Sequence, residues 1–238
     1  MSDTSPPVEK RGTGRLFLRA ALWSGFAFGA WFLGLVAVPG LADISAATDF
    51  TDVITWEASP LLAFVLGMLA VCWAARRWRR GGVVEVLGVV AVKWKVVVGL
   101  CIVTVVAVLL HDVLRYALGL PLLPPEYTRL IQASNHPIVL SLGFLIAAPI
   151  FEEVYFRGFF ITAFGGTCLR PWGAAVVAAA IWAFAHTQYD LTYMPIIFLA
   201  GLAFAGVRLL TGSIVPAVVA HALINLMSYV HVMFFLER

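Results

Sequence analysis

The sequence predicts an all-α, polytopic transmembrane helical bundle with about seven spans. Apolar residues make up 62% of its 238 positions and charged residues only 12%, whereas soluble domains carry about 25% charged residues. Its long apolar segments lack the strict alternation of a membrane-barrel strand. Since only helices and closed barrels satisfy their backbone hydrogen bonds in lipid, these segments are expected to be helices.

The apolar segments define the expected domain organisation. Residues 1–15 are polar and are expected to form a disordered cytoplasmic arm, and residues 16–238 a single transmembrane domain. The first apolar run stays uncharged for longer than the roughly 7–15 residues of a signal-peptide core, so we interpret it as a retained span. The predicted spans are Ala20–Ala42, Ala58–Ala75, Val96–Leu118, Pro137–Gly165, Pro171–Thr187, Leu191–Val207 and Ser213–Phe235. Residues 83–92 are too few to span and are expected at the surface.

The distribution of basic residues predicts a cytoplasmic N-terminus. With the N-terminus inside, twelve of the 16 Lys and Arg residues fall on the inner side and three on the outer side, while Arg157 stays within the membrane. Such a bias follows the positive-inside rule. The composition, poor in Lys and rich in Ala, Val, Gly and Arg, favours a prokaryotic inner membrane. The expected partners are the lipid bilayer and a membrane-associated protein or peptide substrate, and no nucleic acid.

The three cysteines, Cys72, Cys101 and Cys168, form no CxxC motif and no Cys/His cluster. Neither a disulfide framework nor a thiolate zinc site is therefore indicated. We expect no cofactor and no bound metal.

Two adjacent glutamates interrupt the fourth apolar segment and are candidate functional residues. Glu153 and Arg157 are four residues apart, in the order that favours an ion pair on a helix. Glu152 is rotated by about 100° from Glu153 and cannot share the arginine as easily. A free carboxylate in a low-dielectric cavity is a candidate general base. A buried Glu–Arg pair that only locks two helices remains the structural alternative.

Two histidines and an asparagine complete the candidate set. His221 and Asn225 are four residues apart and project from one face of the last helix, while His186 belongs to another helix. Ionisable groups at membrane depth are costly and are usually functional. Together with Glu152, these side chains could bind one water for hydrolysis and stabilise an oxyanion. Packing and interhelical hydrogen bonding remain the alternatives for each residue alone.

The order of these motifs resembles the CPBP family, the CAAX prenyl endopeptidases and bacteriocin-processing or Abi-type intramembrane proteases. The resemblance covers residues 137–227 and rests on Glu152-Glu153-x-x-x-Arg157, Trp182-x-x-x-His186 and His221-x-x-x-Asn225. The second motif usually begins with phenylalanine, a difference that we expect to affect packing rather than chemistry.

The resemblance implies a role for each matched residue. Glu152 would activate the water beside His186, His221 and Asn225 would hold the water and the oxyanion, and Glu153 and Arg157 would be the supporting pair. The family was long labelled metalloprotease, but the chain has no HExxH motif, and asparagine is a poor zinc ligand. We therefore expect a glutamate-type mechanism, with a metalloprotease as the alternative.

Other readings of the same residues remain. Intramembrane Glu, His and Arg also mark transporters and proton relays, although no internal repeat of the transporter type is visible. A non-catalytic scaffold or immunity factor is a further alternative. Prenylated proteins, bacteriocin leader peptides and anchored surface proteins are all compatible substrates.

Counting residues along straight spans places Glu152 and His186 at different depths in the membrane. Glu152, counted from the outer side, and His186, counted from the inner side, would lie roughly 15 Å apart. At that separation Glu152 and His186 could bind the same water only if one of their helices departed from a straight α-helix. We therefore expect a bent or broken helix near Pro149 that brings Glu152 level with His186 and His221 in a water-filled cavity.

Overall fold

The computed structural model describes residues 10–44, 56–78, 82–134, 136–186 and 189–235. In these residues all regular structure is helical, with short 3₁₀ turns at Trp56–Ala58 and Leu191–Tyr193. The helices of the described residues are α1 Lys10–Ile44, α2 Ser59–Trp78, α3 Val83–Leu87, α4 Trp94–Ala117, α5 Pro125–Gln132, α6 Pro137–Gly165, α7 Arg170–Phe184, α8 Met194–Thr211 and α9 Val215–Phe235.

Six helices of the described residues are long and apolar enough to cross a membrane, namely α1, α2, α4, α6, α8 and α9. The remaining predicted span is α7, whose 15 residues reach only about 22 Å. Large apolar side chains on α4 face outward, with Val103, Leu110 and Val113 each more than 60% exposed. An apolar surface of this kind suits lipid rather than water. The predicted all-α membrane bundle is confirmed.

The N-terminal boundary differs from the prediction. The first helix begins at Lys10, so residues 10–15, predicted as part of a disordered arm, are helical. The rest of that predicted arm, residues 1–9, lies outside the described residues. The segment predicted to be too short to span forms the five-residue helix α3.

Helices α1 and α2 cross in backbone contact at Gly34. A Cβ atom there would lie 2.4 Å from the Cα of Ala63, so only glycine allows this approach. Helix α1 is also tied to α6, since the hydroxyls of Ser24 and Tyr155 are 2.7 Å apart in a buried hydrogen bond. These contacts hold α6 against the first two helices.

The expectation for α6 was a bend or a break near Pro149. The helix is continuous, so a break is wrong, and a bend stays a prediction. The helix changes its hydrogen-bond pattern instead: Gly143–Ala147 and Glu153–Phe160 are π-helical, and they flank the α-helical turn Ala148–Glu152. Proline has no N–H to donate to the preceding turn, and π-helical turns shift the register of the bonds around it. The helix thus accommodates Pro149 without a gap.

The segment that contains α3 packs under the middle of the bundle. A Cβ atom at Gly158 of α6 would lie 2.6 Å from the carbonyl oxygen of Leu87, so the two backbones touch. The hydroxyl of Thr162 donates to the carbonyl of Val86 at 3.0 Å. The N–H of Ile214, just before α9, donates to the carbonyl of Gly88 at 2.9 Å. This segment therefore packs against both α6 and the start of α9.

Candidate active site

Glu152 and His186 reach the same depth because α6 and α7 form a helical hairpin. Glu152 precedes the end of α6 at Gly165 by 13 residues (165 − 152), and His186 follows the start of α7 at Arg170 by 16 residues (186 − 170). At 1.5 Å per residue these distances are about 20 and 24 Å from the shared turn. These counts agree with the expectation that Glu152 lies level with His186, and the offset of roughly 15 Å expected for straight spans is not found.

His221 reaches this depth because α9 begins beside Gly158 of α6 and not beside the end of that helix. The contacts of Leu87 and Gly88 place the start of α9 near Gly158, about 10 Å from the inner end of α6. His221 lies six residues after Val215, which adds about 9 Å. The sum of about 19 Å matches the depth of Glu152.

The carboxylate of Glu152 contacts groups from two other helices. Its Oε2 atom lies 3.9 Å from Nε2 of His221 and accepts a hydrogen bond from the indole N–H of Trp182. The side chain of Glu152 is 12% exposed, and that part faces a cavity. A carboxylate with a partly open face can meet both a water and a substrate.

The neighbouring carboxylate of Glu153 is fully buried and joins Arg157 to His221. Its Oε1 atom accepts from Nη1 of Arg157 at 2.8 Å, which is the ion pair that the four-residue spacing predicts. The same oxygen lies 3.0 Å from Nδ1 of His221. Since a carboxylate only accepts, this contact places a proton on Nδ1. The imidazole of His221 is thereby held with Nε2 towards Glu152.

His186 is oriented by its own helix. Its Nδ1 atom lies 2.8 Å from the carbonyl oxygen of Trp182, and because a carbonyl only accepts, Nδ1 carries the proton. Nε2 of a neutral His186 is then an acceptor. The ring packs edge-on against the indole of Trp182, with centroids 5.2 Å apart.

Asn225 is held by the irregular part of α6. Its amide Nδ2 donates to the carbonyl oxygen of Phe144 at 2.8 Å. Phe144 lies in the first π-helical stretch, where the altered register leaves a backbone carbonyl for such a bond. The second N–H of the Asn225 amide remains available to another acceptor.

A single cavity of about 980 Å³ brings the four candidates together, since Glu152, His186, His221 and Asn225 all line it. The rest of its lining is mostly apolar and comes from α1, α2, α4, α5, α6, α7, α8 and α9 and from the segment between α4 and α5. Among the described residues that line it, none is Lys or Arg. The cavity therefore suits an apolar segment that carries a polar group to the four side chains.

The donor set does not match a metal site. Among the described residues, no group of three or more His, Cys, Asp or Glu side chains could hold a metal ion. Nδ1 of His186 and Nδ1 of His221 are each bound to another partner, and only Nε2 of each ring is left for the reaction.

Two features of the site were not found from the sequence. The prediction gave Trp182 a packing role, yet its indole N–H binds Glu152. The prediction gave Glu153 only Arg157 as a partner, yet it also binds His221. The polar edge of the indole was the available signal for the first feature. The second depends on how α6 and α9 are rotated against each other, which no sequence spacing reports.

Comparison with known proteins agrees with the resemblance seen in the sequence. A family model described as "Type II CAAX prenyl endopeptidase Rce1-like" matches residues 134–227, a range that contains all six candidate residues. The chain is also 33% identical over 159 residues to an uncharacterized 24.3 kDa protein of Escherichia coli, an alignment that covers 65% of this chain and 70% of that protein. No solved structure matches. The chain belongs to the Rce1-like family of type II CAAX prenyl endopeptidases.

Proposed function

We propose that this membrane protein is an intramembrane endopeptidase in which Glu152 activates the hydrolytic water without a metal. The carrying observation is the position of the Glu152 carboxylate on the wall of the apolar cavity, 3.9 Å from Nε2 of His221. His186 and Asn225 line the same cavity. This combination of a carboxylate, two imidazoles and an amide suits acyl transfer to water.

The proposed steps of hydrolysis follow from which groups of the site donate and which accept hydrogen bonds. Glu152 takes a proton from the water as the water oxygen attacks the scissile carbonyl carbon. Nε2 of His186 accepts the other water proton in a hydrogen bond and holds the attacking oxygen. Glu152 then delivers its proton to the leaving nitrogen as the C–N bond breaks, which leaves a free carboxyl and a free amine.

The developing oxyanion needs donors, and α9 supplies them. The free N–H of the Asn225 amide is one donor. In the imidazolium form of His221, Nε2–H is the second donor, because Nδ1–H is already bound to Glu153. Glu153 and Arg157 act through His221 as positioning residues.

The substrate class follows from the cavity and the family. A membrane-associated protein or peptide would place an apolar, uncharged segment against the cavity wall. The positive-inside bias supports an N-terminus in the cytoplasm. The composition, poor in Lys and rich in Ala, Val, Gly and Arg, favours a prokaryotic inner membrane.

A comparison of membrane-protein termini in cells tests this function. Cells that express the native chain or the Glu126→Gln variant should share a set of new termini that cells expressing Glu152→Gln lack. Glu126 is a matched control, since it is an exposed glutamate in α5 that pairs with Arg129 at the surface. New termini that persist in Glu152→Gln cells would refute the proposed role of Glu152.

A further inference from the structure

Trp182 lies at the centre of the candidate site, although it lies outside the four-residue catalytic set. Its side chain is 5% exposed. The indole contacts the rings of His186 and His221 edge-on, with centroids 5.2 and 5.3 Å away. Its N–H donates to Oε2 of Glu152. One side chain therefore touches a candidate from each of α6, α7 and α9.

Two groups hold the indole ring in place. The guanidinium of Arg157 lies over the ring, 4.4 Å from its centroid, in a cation–π contact. On α8, Gly201 leaves room for the ring, since a Cβ atom there would lie 3.0 Å from Cε3 of Trp182. The ring cannot turn without displacing one of these neighbours, so the direction of its N–H is fixed.

The hydrogen bond from Trp182 gives the two carboxylate oxygens of Glu152 different roles. The indole is a donor only, and it occupies Oε2, the oxygen nearest to His221. Oε1 is left for a water. Without the indole, the carboxylate could rotate towards Nε2 of His221 and form a direct pair, which would remove both groups from the reaction.

We propose that Trp182 is a positioning residue that orients the Glu152 carboxylate through its indole N–H and His186 through its backbone carbonyl. The side-chain part of this role is specific to tryptophan, because phenylalanine keeps a ring but has no donor. The backbone part survives any substitution. The proposal rests on the function proposed above, since it assigns Trp182 to the orientation of that base.

The kinetic test compares two substitutions on the same helix. Trp182→Phe should lower kcat by about 10- to 100-fold with KM within about twofold of native, because a hydrogen bond to a charged group is lost while the cavity keeps its shape. Trp172→Phe is the control, since Trp172 lies on α7 and is 58% exposed. That variant should keep native kcat and KM.

A spectroscopic test reports the hydrogen bond without proteolysis. The chain has eight tryptophans, so protein labelled with ¹⁵N-tryptophan should give eight indole N–H signals, and Trp182→Phe identifies the signal that it removes. In Glu152→Gln protein, the signal of Trp182 should move upfield more than any other, because a charged acceptor becomes neutral. If Trp182→Phe protein does not fold, Trp→Phe variants assign the signals of the other seven tryptophans, and the remaining signal is that of Trp182.

The outcomes separate the two proposals. Full activity of Glu152→Gln would overturn the proposed function, while the indole shift would still test the contact. An inactive Glu152→Gln together with unchanged kcat in Trp182→Phe would overturn the positioning role alone. An indole spectrum that Glu152→Gln leaves unchanged would overturn it as well.

Discussion

Replacing Glu153 with glutamine should destabilise the protein far more than the same change at Glu152. Glu153 is 0% exposed, and its Oε1 atom binds both Arg157 and His221. Glutamine keeps the size of the side chain but removes the charge. Arg157, also 0% exposed, would then remain charged without a carboxylate partner on its own helix.

The size of the effect follows from the burial of the pair. Breaking a fully buried ion pair by removing one partner costs about 3–5 kcal/mol. For a chain of this length each kcal/mol lowers the melting temperature by about 2–4 °C. Glu153→Gln should therefore melt about 6–20 °C below the native protein.

The matched control is Glu152→Gln, one residue earlier. Glu152 is partly exposed to the cavity and has no arginine partner at hydrogen-bond distance among the described residues. A glutamine oxygen can still accept from the indole of Trp182. We expect this variant to melt within about 2 °C of the native protein, which corresponds to less than about 1 kcal/mol.

Intrinsic tryptophan fluorescence during heating in detergent measures both variants. Thiol-reactive dyes are less suitable, because Cys168 is exposed before unfolding. Equal melting temperatures for the two variants would refute the assignment of Glu153 as the buried structural carboxylate. A larger loss in Glu152→Gln would reverse the assignment.

Three further predictions concern the surroundings of the site. Gly201→Ala places a Cβ atom 3.0 Å from Trp182. Overpacking of this kind costs about 1–3 kcal/mol of folding stability. A Gly201→Ala variant with native melting temperature and native kcat would contradict this prediction. Tyr155→Phe removes the buried hydrogen bond to Ser24. The free energy of unfolding should fall by about 1 kcal/mol and the melting temperature by about 2–4 °C, while kcat stays unchanged. A large loss of activity would contradict this prediction, because it would show that the contact shapes the site. Activity of the purified protein should survive strong chelation, with elemental analysis before and after; stoichiometric zinc whose removal and return switch activity off and on would place the site among the metalloproteases.

Much of the architecture could be predicted from the sequence because lipid imposes simple constraints. A helix must be about 20 apolar residues long to span, so the lengths of the apolar runs mark the helices to within a few residues, except at the start of α1, which lies ten residues before the predicted span. The Glu153–Arg157 pair could also be predicted, since four-residue spacing places both side chains on one face of a single helix. Both inferences need only local geometry.

The relative height of the helices could not be predicted in this way. The sequence does not show that the α3 segment sets the position at which α9 begins. This effect depends on contacts between distant segments, such as Gly158 with Leu87. The expected bend or break near Pro149 came from counting residues along straight spans, which leaves such contacts out.

The chemistry of the site depends on rotations that sequence spacing does not contain. Whether Glu153 turns towards His221 is set by the packing of α6 against α9. The π-helical stretch that gives Phe144 a carbonyl for Asn225 has no clear sequence signal either. Residue identity suggested the members of the site, and tertiary packing set their partners.

The single-turnover rate of purified Glu152→Gln protein tests the central claim most directly. A peptide spanning a cleavage site found by terminus mapping would be mixed with excess enzyme, and folding would be verified by the melting temperature. Loss of the general base should slow cleavage by about 10²–10⁴-fold while substrate binding stays near native. A Glu152→Gln rate within about tenfold of native, in protein that melts like the native chain, would show that Glu152 does not activate the water.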